Sequence, residues 1–471
     1  MSQYSLLRDA DIETLGEAMF TVLEKVGILC QNQGMLEALE RNGAKVDHAH
    51  EMVTFPRRIS EELLCQIRKE TQAAGDGDNA RFRRPPLPHL GTQVAQFFYD
   101  YETKERRSGN RTDFIELIKL GSVLHPEGSV GHSLLLTDVP AMMEPLEAAM
   151  LLAEYAHKPS PAFAWNVRQV DYLIEMGDIY GIPDWFSWGA ICFAHPLRFD
   201  KDVADRFVRM ARAGRTLGLT AMPVAGVTTP VSVAGFIVVA AAEIFATWLA
   251  ARALNPEVPL GGSIWGGSID MKTGEISYSA FDAMLYSFSL AEFLHKWTGK
   301  TVPVGGGEYC DAKHPGYYAA LEKAYKAMTI AAFTGAHPDV GQGMLEEGKT
   351  LCPAQLLLER ELGIGVQCFA GPIEVSSETM ALDSILEVGL GLSRSYLDTE
   401  KTLYHFREHL WCPQLMDRSG WNGSETDEVV LQRIQNRVRE LIASYEKPTI
   451  DPDKLTKMRQ VVERARRDLL A

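Results

Sequence analysis

Apolar positions recur along this chain in two rhythms. Near the N-terminus, Leu15, Met19, Val22, Leu23 and Val26 keep helical spacing and Gly27 closes the run, which predicts a helix over Ile12–Val26. A second short helix over Met35–Arg41 stops at Gly43. Two β-like runs follow in AKVDHAHEMVTFP, and a further helix covers Ser60–Lys69. The stretch AAGDGDNARFRRPPLPHLG is rich in Gly, Pro and charge and reads as a linker or long loop. QVAQFFYDYETKERRSGNRTD then reads as a hairpin leading into a helix from Thr112.

From about 128 to 392 short apolar runs alternate with longer helical periods. The strand-like runs are Val130–Leu136, Ala162–Val167, Trp188–Phe193, Leu219–Val224, Val258–Ile264, Val302–Val304, Asp339–Gly343 and Gly365–Phe369. Helical segments begin near Met143, Val170, Lys201, Ser232, Tyr278, Tyr317, Pro353 and Glu378; one carries Tyr318, Leu321, Tyr325, Met328 and Ala332 at 3-4-3-4 spacing. Strands alternating with helices imply parallel pairing through right-handed crossovers. Eight such units in this length predict an α/β fold, a (β/α)8 TIM barrel. It would carry a mainly helical N-terminal extension (1–127, with small β pieces), a barrel over 128–392 and a C-terminal helical cap (393–471). The cap's main helices are expected at Thr426–Tyr445 and Pro452–Leu470.

Composition narrows the classes of partner. The 471 residues carry 47 Lys and Arg against 62 Asp and Glu, a net charge of −15, with no long basic run. That argues against nucleic acid or an anionic membrane as the main partner and suits a cationic ligand. The 7 cysteines include no CxxC pair and read as reduced thiols of a cytoplasmic protein. The N-terminus has no basic start followed by an apolar run. The long uncharged stretch between Arg215 and Glu243 contains Pro223 and Pro230, which fits a buried strand, loop and helix better than a membrane span.

In such a barrel the chemistry sits at the C-terminal ends of the strands. Those ends offer Asp138, Trp165, Asn166, His195, Thr228, Thr229, Trp265, Glu308, Tyr309, Gln342, Met344, Phe369 and Glu374. The stretch TVPVGGGEYCDAK, Thr301–Lys313, is the densest: a strand, three glycines, then Glu308, Tyr309, Asp311 and Lys313. By itself it reads as a turn with solvated charges. Trp and Tyr faces beside a carboxylate bind quaternary ammonium groups, at about 0.5–2 kcal/mol per contact. Cys192, His195, Glu308 and Cys310 could in principle hold zinc, although adjacent strand residues point to opposite faces and Cys192 lies within its strand. No metal is expected.

The chain resembles the trimethylamine methyltransferase family, through VLEKVGI, NGAKVD, VTFP, YETKERRSGNRTD, LTDVP, the DAK after the glycines, SSETMALDSILEVGLG, KTLYHFRE and PQLMDRSGW. It is most similar to members lacking pyrrolysine, and HPGYY follows DAK where the family commonly has D-x-Q-A-G. The resemblance implies a barrel that moves a methyl group from a methylated amine to the cobalt of a corrinoid protein. For members without pyrrolysine the donors are quaternary amines such as glycine betaine. With no DxHxxG segment, the corrinoid (cobalamin) is expected on a partner protein. Glu308 and His195 are the candidate catalytic residues; Trp165, Trp265 and Tyr309, with Tyr99, Phe98 and Phe369, are candidates to face the ammonium. Asn166, His195 and Gln342 are candidates for the polar end. Self-association is expected of a large barrel. The alternatives are a zinc-dependent methyltransferase of an alcohol or thiol, and a non-catalytic barrel that only docks a corrinoid protein.

Overall fold

Helices form where the apolar spacing places them, whereas the strands are shorter than the sequence suggests. The computed structural model describes residues 5–74, 87–188, 190–334, 340–366, 374–416, 418, 421 and 426–471. Asp9–Lys25, Gln33–Arg41 and Arg57–Ala74 are the N-terminal helices, and Arg111–Leu124 follows the hairpin Phe97–Asp100/Glu105–Ser108. Helices Glu144–Tyr155, Val167–Tyr180, Lys201–Arg212, Val233–Leu254, Phe281–Thr298, Tyr317–Thr334 and Pro353–Val366 then alternate with short β pieces.

Those pieces line up in parallel, in chain order. Val130 bridges Pro159, and Ala162–Ala164 pairs with Phe186–Trp188. Ile191 O accepts from Thr220 N at 2.8 Å, and Thr220–Ala221 pairs with Ser263–Ile264. Ile264 in turn bridges Val304. On the other side Ala95 bridges Leu134, and Phe97–Phe98 runs parallel to Thr350–Leu351. The fold is mixed α/β, and among the described residues the pairing does not close into a ring.

Two expected strands differ. In place of Asp339–Gly343, whose first residue lies outside the described ones, the chain passes Gly341 (φ +112°) and Gly343 (φ +75°) into a hairpin. That hairpin pairs Met344–Leu345 with Thr350–Leu351. Of Gly365–Phe369, Gly365 ends the helix Pro353–Val366 and 367–369 lie outside the described residues. Gly365, which began the expected strand, serves packing instead, since a Cβ there would stand 3.3 Å from Trp411; one on nearby Gly363 would stand 2.9 Å from Leu87 Cδ2.

The N-terminal helices are not separate from the rest. Ile28–Cys30 pairs in parallel with Arg198–Phe199, and Asp9–Lys25 packs on Val233–Leu254. The latter helix has 22 residues and is apolar enough to cross a membrane, but 67% of its apolar window is buried within the protein. Its all-round apolar surface is that of a central core helix. Its Phe245 meets Phe20 and Trp297 in one core; Trp185, Leu351, Ile434 and Val462 belong to a second, sealed by the C-terminal helices Asp427–Ala443 and Pro452–Leu469. Buried Glu147 locks that seal, accepting from Arg111 (3.3 Å), Arg459 (2.9 Å) and Arg466 (2.8 Å).

Candidate active site

The loop after Val304 is folded onto an indole. Gly305 N donates to Ile264 O at 3.0 Å, and a Cβ on Gly305 would lie 2.4 Å from Trp265. Gly306 (φ +89°) lies close to Lys326 Nζ, which would stand 2.9 Å from a Cβ there. The closeness that glycine permits is therefore spent on Trp265 and Lys326. The turn carries Tyr309 to Trp265, ring centres 4.9 Å apart and 61° between planes, and Tyr278 stands 6.0 Å from Tyr309. Gly348 backs the same ring, since a Cβ there would meet Tyr309 at 2.2 Å. All three aromatic residues remain partly exposed.

Charged groups gather beside these rings. Lys326 is buried, donates to Tyr278 O at 2.8 Å and sits 5.6 Å from the Tyr309 ring centre. Burial lowers its pKa, against the pull of Glu347 and Glu308. Glu347 Oε1 accepts from Ser279 Oγ at 2.6 Å; its buried Oε2 has no donor among the described residues, and the Asp311 carboxyl lies within hydrogen-bonding reach. Asp311 Oδ2 accepts from Ser277 Oγ at 2.7 Å. Burial pushes Glu347 up to about 7, Lys326 opposing and Asp311 assisting. Glu347 follows Glu346 and precedes Gly348, three successive left-handed residues (φ +53°, +54° and +80°). Left-handed non-glycine residues persist only where surroundings hold them. Here Glu346 N and Glu347 N donate to Ala312 O (2.9 Å) and Cys310 O (2.8 Å), and Glu346 pairs with Arg106 at 2.7 Å.

Glu308, also buried, accepts from Gln93 Nε2. Gln93 reaches it because the segment Leu90–Ala95 is inserted beside the first strand, with Gly131 N donating to Leu90 O (2.8 Å) and Ala95 N to Ser133 O (2.9 Å). Gln342 is pinned to the same segment, donating to Thr92 Oγ1 (2.7 Å) and His89 O (3.2 Å), while its buried Oε1 has no partner among the described residues.

A second group forms at Trp165. Its Nε1 donates to Glu144 Oε2 at 2.9 Å, and its ring stacks on Phe163 at 5.9 Å. Glu144 Oε1 also meets His132 Nε2 at 2.8 Å and Leu136 N at 3.1 Å. Despite burial, which raises it, the neighbouring His132 and these donors hold the Glu144 carboxyl below its ordinary range.

Other expected residues are placed elsewhere. Asn166 caps the helix Val167–Tyr180, accepting from Arg168 N at 2.9 Å in a capping box with Gln169. His195 is exposed, 3.9 Å from Asp200. Tyr99 is buried with its hydroxyl 3.4 Å from His314 Nδ1. Phe98 lies near Arg107 and lines a cavity of about 300 Å³ with Gln435 and Arg439. Phe369 lies outside the described residues. Among the described residues no hydrogen bond, ion pair or ring contact joins Phe98, Asn166 or His195 to the Trp265–Tyr309 pair. Cys310 Sγ donates to Met344 O at 3.6 Å, and burial pushes the Cys192 and Cys310 thiols up to about 12.

Sequence reasoning missed Tyr278, Lys326, Glu347, Gln93, His132 and Glu144. Only Glu347 left a trace, in the turn signal of LEEGKT.

Comparison with known proteins adds to this geometry. The family model described as trimethylamine methyltransferase matches residues 1–469. A glycine betaine methyltransferase of Desulfitobacterium hafniense is 22% identical over 470 residues, 96% of this chain and 95% of that protein. A trimethylamine methyltransferase of the same species is 23% identical over 97% of this chain and 92% of that protein. One from Methanosarcina mazei is 29% identical over 285 residues, where the match spans 59% of this chain and 55% of the relative.

Proposed function

This chain belongs to the trimethylamine methyltransferase family, and from that premise we propose that it moves a methyl group from a quaternary amine of the glycine betaine kind to a corrinoid protein in the cytoplasm. The fold under this reading is a (β/α)8 barrel over about 128–392, with 1–127 and 393–471 as extensions and identical copies associating. The successive parallel pairings from Val130 to Val304 support it. One observation carries the function: Trp265, Tyr278 and Tyr309 adjoin the carboxyls of Glu308, Asp311 and Glu347.

A quaternary nitrogen has no N–H, so it is recognised by aromatic faces and by charge alone. Its methyl already sits on a good leaving group, a neutral tertiary amine, and departure needs no general acid. The docked corrinoid supplies a strong Co(I) nucleophile. The chain's residues have to orient one N–CH₃ bond and exclude water. Trp265 and Tyr309 face the ammonium in this reading, and Glu308 supplies negative potential. Gln342 and the backbone N–H groups of the glycine turn serve a carboxylate end. Trp165, fixed by Glu144, is a second wall. The partly exposed rings at the strand ends form an apolar rim open to a corrin presented by its own protein. A complete cage would favour the ground-state cation and slow transfer, and an open set of rings avoids this.

The test mixes purified protein with cob(I)alamin and a panel of betaines and follows the spectral change of cobalamin methylation. Methylation from at least one quaternary amine is expected. None from any of them would overturn the reading.

A further inference from the structure

Among the described residues, two helical regions turn large apolar side chains to solvent. The first is the segment 374–410, which holds the helices Ser377–Met380, Leu382–Val388 and Glu400–His409. Among its residues only Val388 and Thr399 are buried. Leu390, Leu392 and Leu397 are 91%, 89% and 78% exposed, and Leu382, Leu386, Leu403, Tyr404 and Leu410 are exposed as well. The second is the helix Tyr317–Thr334. Its stripe of Tyr318, Leu321 and Met328 is exposed, joined by Phe281, which stacks on Tyr325 at 4.7 Å. The same helix buries Lys323 and Lys326 on its other side. It is an inverted amphipathic helix, charge inward and the apolar ridge outward. Exposed apolar areas of this kind mark interaction sites.

We propose that segment 374–410 of one copy lies on the Tyr318–Leu321–Met328 stripe of a second copy of this chain, and reciprocally. The occupant follows from what the chain carries. Both surfaces are apolar and belong to one polypeptide, so a symmetric pair buries all four at once, whereas a foreign partner covers one kind. The area suffices. Eight arm side chains at roughly 60–100 Å² each give on the order of 600 Å² per arm, and two arms with their receiving stripes exceed the ~1,600 Å² of a standard interface. The contact also bears on the site. Tyr318 and Tyr325 lie close enough to Asp311 and Glu322 to feel their charges. An arm laid over them braces from outside the helix whose inner face carries Lys326.

The experiment combines sedimentation with hydrogen exchange on the full chain and on Leu321→Glu and Leu403→Glu. Both positions are exposed, so the substitutions leave the subunit fold intact, checked by circular dichroism. The wild-type chain is expected to sediment as a dimer or larger assembly, with amides of 382–388 and 400–409 protected. Each variant is expected to fall to the monomer mass. Leu321→Glu, a change on the body, is expected to remove protection from the arm. A monomeric wild type with a protected arm would show the arm folding on its own body and overturn the proposal. So would variants that stay associated, and so would variants that lose only binding to a corrinoid protein while keeping their mass.

Discussion

Glu347→Gln isolates the charge that the sequence did not reveal. The amide keeps the shape and still accepts from Ser279 Oγ, but it cannot ionise. In the wild type Glu347, pushed up to about 7, is neutral below that pH and anionic above it. At a separation of about 6 Å, a cation held on the Tyr309 ring would gain about 3 kcal/mol from that charge at an effective dielectric of 20. Lys326 screens part of it, leaving about 1 kcal/mol, or roughly fivefold in affinity. Titration calorimetry with glycine betaine at pH 6 and pH 8 is therefore expected to show tighter binding at the higher pH for the wild type. Glu347→Gln should show no such gain and resemble the wild type at pH 6. A variant that keeps the full wild-type slope would refute the reasoning, because another group would then own the proton. The same proton touches stability with the opposite sign. The folded carboxyl keeps it up to about pH 7, whereas the unfolded one releases it near 4.5. Its contribution to stability thus falls as pH rises through that window, and the variant should lose this part of the decline.

Trp265→Ala should weaken binding of a quaternary amine by about 0.5–2 kcal/mol, up to roughly thirtyfold, measured by the same titration. Asn166→Ala should cost about 1 kcal/mol of stability in denaturant titration through the lost helix cap, with unchanged betaine affinity. Glu243, buried on Val233–Leu254 and opposed only by the Leu197 N–H, is pushed up to about 8. Its stabilising proton is fully held below 4.5 and its penalty grows through pH 8, so Glu243→Gln should gain roughly 3 kcal/mol at pH 7. Melting temperatures across pH 5–9 should then flatten relative to the wild type.

Periodicity carried most of the helices because a helix buries a stripe whatever lies beyond it. Asp9–Lys25, Gln33–Arg41, Val167–Tyr180 and Pro452–Leu469 fall close to where the spacing and caps put them. Strands were harder. A two-residue piece such as Ser263–Ile264 leaves too few positions for a pattern, and glycines like Gly365 look the same whether they end a strand or let a tryptophan approach a helix. Of the candidate site, the contact of Trp265 with Tyr309 was legible, since both follow strand positions. The placement of the polar candidates was less so. Asn166 at a strand end is equally the start of the next helix, and its side chain caps that helix.

The deeper miss is the helix Tyr317–Thr334, and it has a physical cause. A regular apolar stripe shows that a helix has two sides, but not which side meets solvent. Sequence reasoning assigns charge to water because an unpaired buried charge is costly. Here the charges are compensated: Lys323 meets Glu359, both fully buried, and Lys326 donates to Tyr278 O within reach of the charges of Glu347 and Glu308. The partners come from hairpin and helix positions far along the chain, so no local pattern announces them. Once the lysines are satisfied inside, the helix must turn its stripe of Tyr318, Leu321 and Met328 outward. One choice therefore fixes two features, a charged pocket wall within and an apolar ridge without. A substitution that removes the inner pairing, such as Lys323→Met, should disturb the site and the outer contact together.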